Sequence, residues 1–214
     1  MRRLFGFIVM SLALMPMTGG ARTIADFFAS EPGEIFTLLT RTNRLDMVDY
    51  FLNGQMVPIQ NNLGGESRLV ELDSVYLKVK TSAGQEVEMR LMTAGKRDTV
   101  IAVIETAMTP VPDSRLTLWN PQWQRYVRTG TFFKTPTIDD FIVKKMPREL
   151  RSDLQDATIF PLIRFTFTGD GHNELEASHG IEQFLAPNEY KRFAGYLKPS
   201  IRYRVNGVKI KPVK

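Results

Sequence analysis

The sequence predicts an α+β protein: an N-terminal helical hairpin packed on an antiparallel β meander, then a smaller unit of β-hairpin, helix and β-hairpin. Three observations carry that expectation. Apolar residues recur at helical spacing up to Leu52, the period switches to alternation from Val70, and tight-turn pairs such as Asn206-Gly207 join neighbouring alternating runs. The 214-residue chain is 43% hydrophobic and 24% charged, an ordinary globular balance, and contains no Cys. That absence removes thiol nucleophiles, thiolate metal sites, disulfides and lipid attachment at an N-terminal cysteine.

Residues 1–21 read as a targeting signal. Arg2 and Arg3 precede an apolar run over 4–15, and Gly19, Gly20 and Ala21 supply small residues for cleavage after Ala21. The run is shorter than the ~20 residues needed to cross a bilayer, and Pro16 follows it. No later segment is apolar over such a length, so the expected product is secreted or periplasmic, with no transmembrane helix once the signal is removed. Nucleic acid is not an expected partner: the formal charge of +5 includes the signal arginines, and the remaining charges are mixed.

The first unit spans 22–129. Thr23 caps a short helix over 24–29, and a segment from Glu34 places Ile35, Leu38 and Leu39 at helical spacing. A further helix is expected with Asn43 as its cap, an apolar face of Leu45, Val48, Phe51 and Leu52, and Asn53-Gly54 as its left-handed stop. Residues 57–66 read as a loop. Val75, Leu77 and Val79 then alternate with Tyr76, Lys78 and Lys80, and after a turn at 82–84 Val87, Met89 and Leu91 alternate with Glu86, Glu88 and Arg90. The outward lysines and glutamates can face one another across this pair, a structural contact worth roughly 0.5 kcal/mol. The continuous apolar run 100–104 suits a central strand buried on both faces, and 116–119 with 123–127 make a hairpin around Asn120-Pro121-Gln122.

Residues 130–159 form a connector with a short helix starting at Pro147 and carrying Leu150 and Leu154. The last unit, 160–214, runs through Ile163, Phe165 and Phe167, turns at Gly169-Asp170-Gly171 and returns through Leu175 and Ala177. Tyr190, Phe193, Ala194 and Leu197 have helical spacing, and a terminal hairpin closes on Asn206-Gly207.

Several stretches carry a resemblance. Ala25-Asp26-Phe27-Phe28, Leu38-Leu39-Thr40 and the run from Asn43 to Tyr50, with Asn62-Leu63-Gly64-Gly65, Trp123 and Tyr203 with Asn206-Gly207, resemble a secreted family of Bacteroidales known as domain of unknown function 3256. The resemblance covers nearly all of the chain after the signal. It implies a Gram-negative envelope or secreted location, and it brings no activity, cofactor or catalytic residue with it.

Two surfaces are candidate sites. With Asn206-Gly207 as a two-residue loop, Arg204 faces Lys209 and Arg202 faces Lys211, so four cations share one face and call for an anionic partner. The plainer explanation, preferred here, is that Glu174 and Glu176 neutralise them in the same sheet or that the lysines protect an exposed edge. With Asn120–Gln122 as a three-residue loop, Trp119 and Trp123 lie opposite each other on the face shared with Arg125, while Leu116 and Leu118 take the core face. Flat aromatic surfaces there suit a sugar ring or a partner's side chain. The plainer explanation, again preferred, is a hairpin-stabilising aromatic pair covered by the connector.

Catalytic chemistry has little support. Gly65-Glu66-Ser67 lacks the closing glycine of a nucleophile elbow. His172 and His179 would point to opposite faces of one strand, and Asp170, Asn173 and Glu174 break the spacing of a calcium loop. Asp139-Asp140 cannot be assigned acid and base roles from sequence. The expectation is a secreted or periplasmic binding module with no cofactor or metal, its partner a glycan, an anionic envelope component or another envelope protein. The alternatives are a carbohydrate hydrolase and a structural envelope protein.

Overall fold

The computed structural model describes residues 21–94, 98–126, 132–143, 145–160 and 162–213. The expected targeting segment lies outside the described residues except for Ala21. Helix α1 (Ile24–Ser30) starts as its sequence predicts, with Thr23 and Asp26 closing a reciprocal capping box. The helix expected from Glu34 does not form. The buried Glu31 carboxylate instead accepts the backbone N–H groups of Gly33, Glu34 and Ile35 at 2.7–2.9 Å, and that of Phe36 at 3.5 Å. One side chain thus holds the donors of the whole segment, which runs through turns, with Gly33 at φ +99°.

The same carboxylate fixes the next helix, α2 (Arg41–Leu52). Arg44 reaches Glu31 at 3.3 Å with side chains only 3% and 0% exposed, and also donates to the Leu39 carbonyl at 3.1 Å. Two expectations are corrected here. Thr40, not Asn43, is the cap, and Asn43 is the capping-box partner inside the first turn. The helix buries Arg44 and Met47, with Val48 and Phe51 beside them, whereas Leu45 and Leu52 are 45% and 72% exposed. Engaging Glu31 turns the Arg44 side of the helix inward.

Six strands follow in a meander: β1 (Ile59–Gln60), β2 (Glu66–Leu72), β3 (Tyr76–Ser82), β4 (Gln85–Ala94), β5 (Asp98–Ala107) and β6 (Asp113–Trp119), each antiparallel to its neighbour. Within the expected loop 57–66, β1 pairs with the start of β2. Lys78 pairs with Glu88 and Lys80 with Glu86, the register expected from the alternation. Central β5 buries Val100 to Ile104 completely, because the sheet is covered on both sides. On one side Leu77, Val87, Met89 and Val103 meet Phe27, Phe28 and Phe36 of the N-terminal segment.

On the other side lies a second sheet, ordered β10-β9-β8-β7, from β7 (Ile163–Thr168), β8 (Glu174–His179), β9 (Ser200–Asn206) and β10 (Lys209–Pro212). Its inner residues Phe165, Phe167, Leu175 and Tyr203 pack on Tyr76, Ala102, Ile104 and Leu118. The connector does lie across this core through Phe133, Ile138, Phe141 and Met146. It leads through Pro147 into α3 (Arg148–Ala157); α4 (Ile181–Phe184) and α5 (Pro187–Ala194) join β8 to β9.

The sheets are also joined by polar contacts. Strand β7 is an edge, and its N–H groups at Ile163, Phe165 and Phe167 are accepted by Asp113 Oδ1, Ser114 Oγ and Glu88 Oε2 at 2.9–3.0 Å. Glu88 also accepts the Tyr76 hydroxyl at 3.1 Å, Lys78 Nζ sits 3.5 Å from both Glu86 and Glu88, and Arg164 donates to Glu86 at 3.1 Å. His172 stacks on the Tyr76 ring with centroids 3.6 Å apart. Glu86 and Glu88, expected as outward charges, are only 5% and 3% exposed because the second sheet covers them.

Two predictions follow from these buried charges. Arg44→Ala, which strands the Glu31 carboxylate without its cation, is expected to cost about 3 kcal/mol in urea unfolding. Burial pushes the Glu88 carboxyl above its ordinary value of 4.5, against the opposing pull of the Phe167 N–H and Lys78. A carboxyl raised by folding contributes fully below its ordinary value, and that contribution is lost as pH climbs through the raised one. Glu88→Gln keeps an acceptor for Phe167 and does not titrate. Its stability relative to the wild type is therefore expected to rise as pH climbs above the ordinary carboxyl value of 4.5. A pH-independent difference would contradict the assignment.

Candidate functional site

The tryptophan pair is built at the end of β6. Asn120 Oδ1 accepts the N–H groups of Gln122 and Gln124 at 3.0 and 2.8 Å, which holds a turn through Gln124 and sets Trp119 opposite Arg125. The expected three-residue loop with Trp119 opposite Trp123 is thereby corrected. Trp123 lies inside the turn at φ +60°, a left-handed conformation that a bulky residue adopts only when its surroundings hold it. The two rings meet edge to face with centroids 6.0 Å apart.

Neither ring forms an exposed platform. Trp119 and Trp123 are 6% and 8% exposed and belong to the core under the N-terminal segment, while Leu116 and Leu118 serve the core on the opposite face. Both faces of this sheet are covered, so the sequence-level choice between them does not arise. The cover is the N-terminal segment rather than the connector, and Arg22 donates to the Pro121 carbonyl at 3.5 Å beside it. Trp119 Nε1 donates to Thr117 Oγ1 at 2.9 Å; the buried Trp123 Nε1 has no hydrogen-bond partner among the described residues. The ring edges border a polar cleft of about 430 Å³, whose other walls include Glu34, Arg115, Gln124 and Arg125. Arg115 is held by Glu105 at 2.8 Å.

The basic face is placed differently. The terminal hairpin turns on Gly207 and Val208, so Asn206 pairs with Lys209, Arg204 with Lys211 and Tyr203 with Pro212. This corrects the expected pairs Arg204 with Lys209 and Arg202 with Lys211. Gly207, at φ +58°, lies so close to β4 that a Cβ there would stand 2.7 Å from the Thr93 carbonyl oxygen. Each partner moves by two positions, which preserves the pleat, so Arg202, Arg204, Lys209 and Lys211 still share one face and all four are exposed. On β8, Glu176 stands opposite Arg202 and Glu174 opposite Arg204. The β10 edge is blunted, since the Ile210 N–H donates to the Phe132 carbonyl at 3.1 Å and Pro212 has no N–H.

The other residues considered for chemistry serve local structure. Ser67 donates to the Thr81 carbonyl at 2.6 Å in the interior. Asp140 accepts the Thr137 N–H at 2.7 Å, and Arg151 at 2.7 Å from Asp139 is the main reason that carboxyl lies below its usual range. His172 sits in a 3-10 turn ahead of β8 rather than on a strand with His179. Burial holds the His179 ring below its usual value, edge-on to Phe141. Among the described residues no group of His, Asp and Glu is arranged to hold a metal ion, and no helix is long and apolar enough to cross a membrane. The sequence reading passed over Lys145, Arg148 and Arg151, which line a cleft against α3; its only local signal was the paired lysines of the connector.

A family model described as "Protein of unknown function (DUF3256)" matches residues 17–209. A solved domain of an uncharacterized protein from Porphyromonas gingivalis W83 has the same fold, with a TM-score of 0.77 at 20% identity over 89% of this chain and 97% of that one. No curated protein matches the chain.

The burial of the indole rings makes a clear prediction. Trp123→Ala is expected to lower unfolding stability by about 3 kcal/mol, as for a large core residue, and Arg125→Ala by no more than about 0.5 kcal/mol. Equal stabilities of the two variants would contradict a core role for Trp123.

Proposed function

The chain belongs to the DUF3256 family of proteins of unknown function, and from that premise we propose that it is a secreted, non-catalytic binding module that holds an anionic envelope component on the outer face of its second sheet. One observation carries this reading. Both faces of the first sheet and the inner face of the second are packed into cores, whereas the outer face of the second presents Arg202, Arg204, Lys209 and Lys211 to solvent. Glu174 and Glu176 lie opposite the two arginines on one side, so the lysine edge carries the unbalanced charge. Phosphate or carboxylate groups arrayed on an envelope glycolipid or polysaccharide complement such a row. The short apolar run behind Arg2 and Arg3 supports export to the compartment where these partners occur.

A second reading keeps Trp119, Trp123 and Arg125 as the ligand site. It is favoured by the unpartnered Trp123 Nε1 beside a cleft of mixed hydrogen-bonding groups, which suits a neutral, hydroxyl-rich ligand rather than a ring stacked on an open platform.

The two readings separate in one binding measurement on immobilised lipopolysaccharide, an anionic envelope glycolipid. The basic face predicts affinity that falls steeply with salt and drops about tenfold in Lys209→Glu plus Lys211→Glu. Salt-insensitive binding retained by that variant and lost in Trp123→Phe would favour the cleft. Equal, salt-independent binding by all three proteins would sink both.

A further inference from the structure

A cleft of about 610 Å³ opens where the connector meets α3. Its floor forms because the connector pairs with the segment ahead of β9: Ile142 bridges Leu197, the Val143 N–H donates to the Tyr196 carbonyl at 2.9 Å, and the Lys198 N–H to that of Phe141 at 3.0 Å. Met146 then turns into the core at 8% exposure, and Pro147 starts the helix, so that the first turn of α3 becomes a wall. The resulting surface is amphipathic. Ile142, Met146, Pro147 and Tyr196 supply the apolar part, Lys145, Arg148 and Arg151 the charge, and among the described residues no carboxylate lines the cleft.

The three cations are not equivalent. Arg151 is drawn to Asp139, which is held in turn by Gln155 at 3.1 Å. Lys145 and Arg148 are exposed and make no ion pair among the described residues. Pro147 offers no side-chain acceptor to the first turn of α3, so the adjoining backbone dipoles reinforce the positive potential rather than offset it. A volume within the range of about 300–1,000 Å³ typical of small-molecule sites, an apolar floor and an all-cationic rim together define a ligand by its chemistry.

We propose that this cleft binds a small amphiphilic organic anion, its apolar body on Ile142, Met146 and Tyr196 and its acidic headgroup between Lys145 and Arg148. The site shares no residue with the basic face of the second sheet, so either can fail without the other. The headgroup chemistry is that of a carboxylate or a sulfonate-like oxyanion attached to a hydrocarbon, not of an inorganic anion alone.

The test is fluorescence titration of the purified protein with 1-anilinonaphthalene-8-sulfonate, an amphiphilic anion that brightens in apolar sites. The neutral analogue N-phenyl-1-naphthylamine serves as control, and decanoate and inorganic phosphate as competitors. Saturable binding is expected, displaced by decanoate and not by equimolar phosphate. Lys145→Glu plus Arg148→Glu is expected to weaken the anion by about tenfold and leave the neutral probe within about twofold. Lys209→Glu plus Lys211→Glu is expected to leave both unchanged. The proposal is overturned if the wild type shows no saturable binding or if phosphate displaces the probe as well as decanoate does. It is equally overturned if the cleft variant loses less than fivefold for the anion, loses both probes alike, or is matched by the second-sheet variant.

Discussion

The fold depends on how one edge strand is satisfied. Strand β7 closes one side of the second sheet, and its N–H groups at Ile163, Phe165 and Phe167 would be buried without partners against the first sheet. Asp113, Ser114 and Glu88 accept them, and each acceptor comes from a different register position of the meander. Apolar packing brings the sheets together without direction; these three bonds set which residue of β7 lies over which strand. The buried Glu88 is held by Tyr76 and Lys78 on its own sheet, so the meander itself positions the acceptor that β7 uses.

Glu31 plays the corresponding part at the other face. It gathers four backbone donors of the turns that follow it and the guanidinium of Arg44, and so ties those turns to the side of α2 that buries Met47. The N-terminal segment then seals the face on which Trp119 and Trp123 lie. A single buried carboxylate therefore bears on why the indoles are core residues rather than a platform, although it lies far from them in sequence. The cost of burying charge in both places is offset in part by an opposite charge and by hydrogen bonds, the condition under which such groups are tolerated.

Covering three sheet faces leaves three surfaces at the margins open: the outer face of the second sheet, the cleft beside Trp123 and the amphipathic cleft at the start of α3. These lie on different elements and differ in chemistry, from a row of exposed cations to mixed hydrogen-bonding groups to apolar surface ringed by positive charge. The solved Porphyromonas gingivalis domain shares the architecture at 20% identity, which speaks for the packed layers and leaves the margins to be read from this chain's own residues.

What the sequence by itself determined is local. Thr23 at a helix start, Lys78 and Lys80 facing Glu86 and Glu88, the buried run at 100–104 and the alternation through Phe165 and Phe167 depend on neighbours in the chain or across one hairpin, and each was legible from spacing. The four cations of the last hairpin were legible as one face even with the register misplaced, because a displacement of two residues keeps the pleat. Tertiary structure alone decided which side of α2 faces inward, that Glu86 and Glu88 point into an interface, and that both sides of the Trp119 strand are core. In each case the deciding partner comes from another segment: Glu31, the edge of β7, the N-terminal cover. Periodicity reports that a strand has two faces, but whether one or both meet protein depends on how many layers the rest of the chain stacks against it.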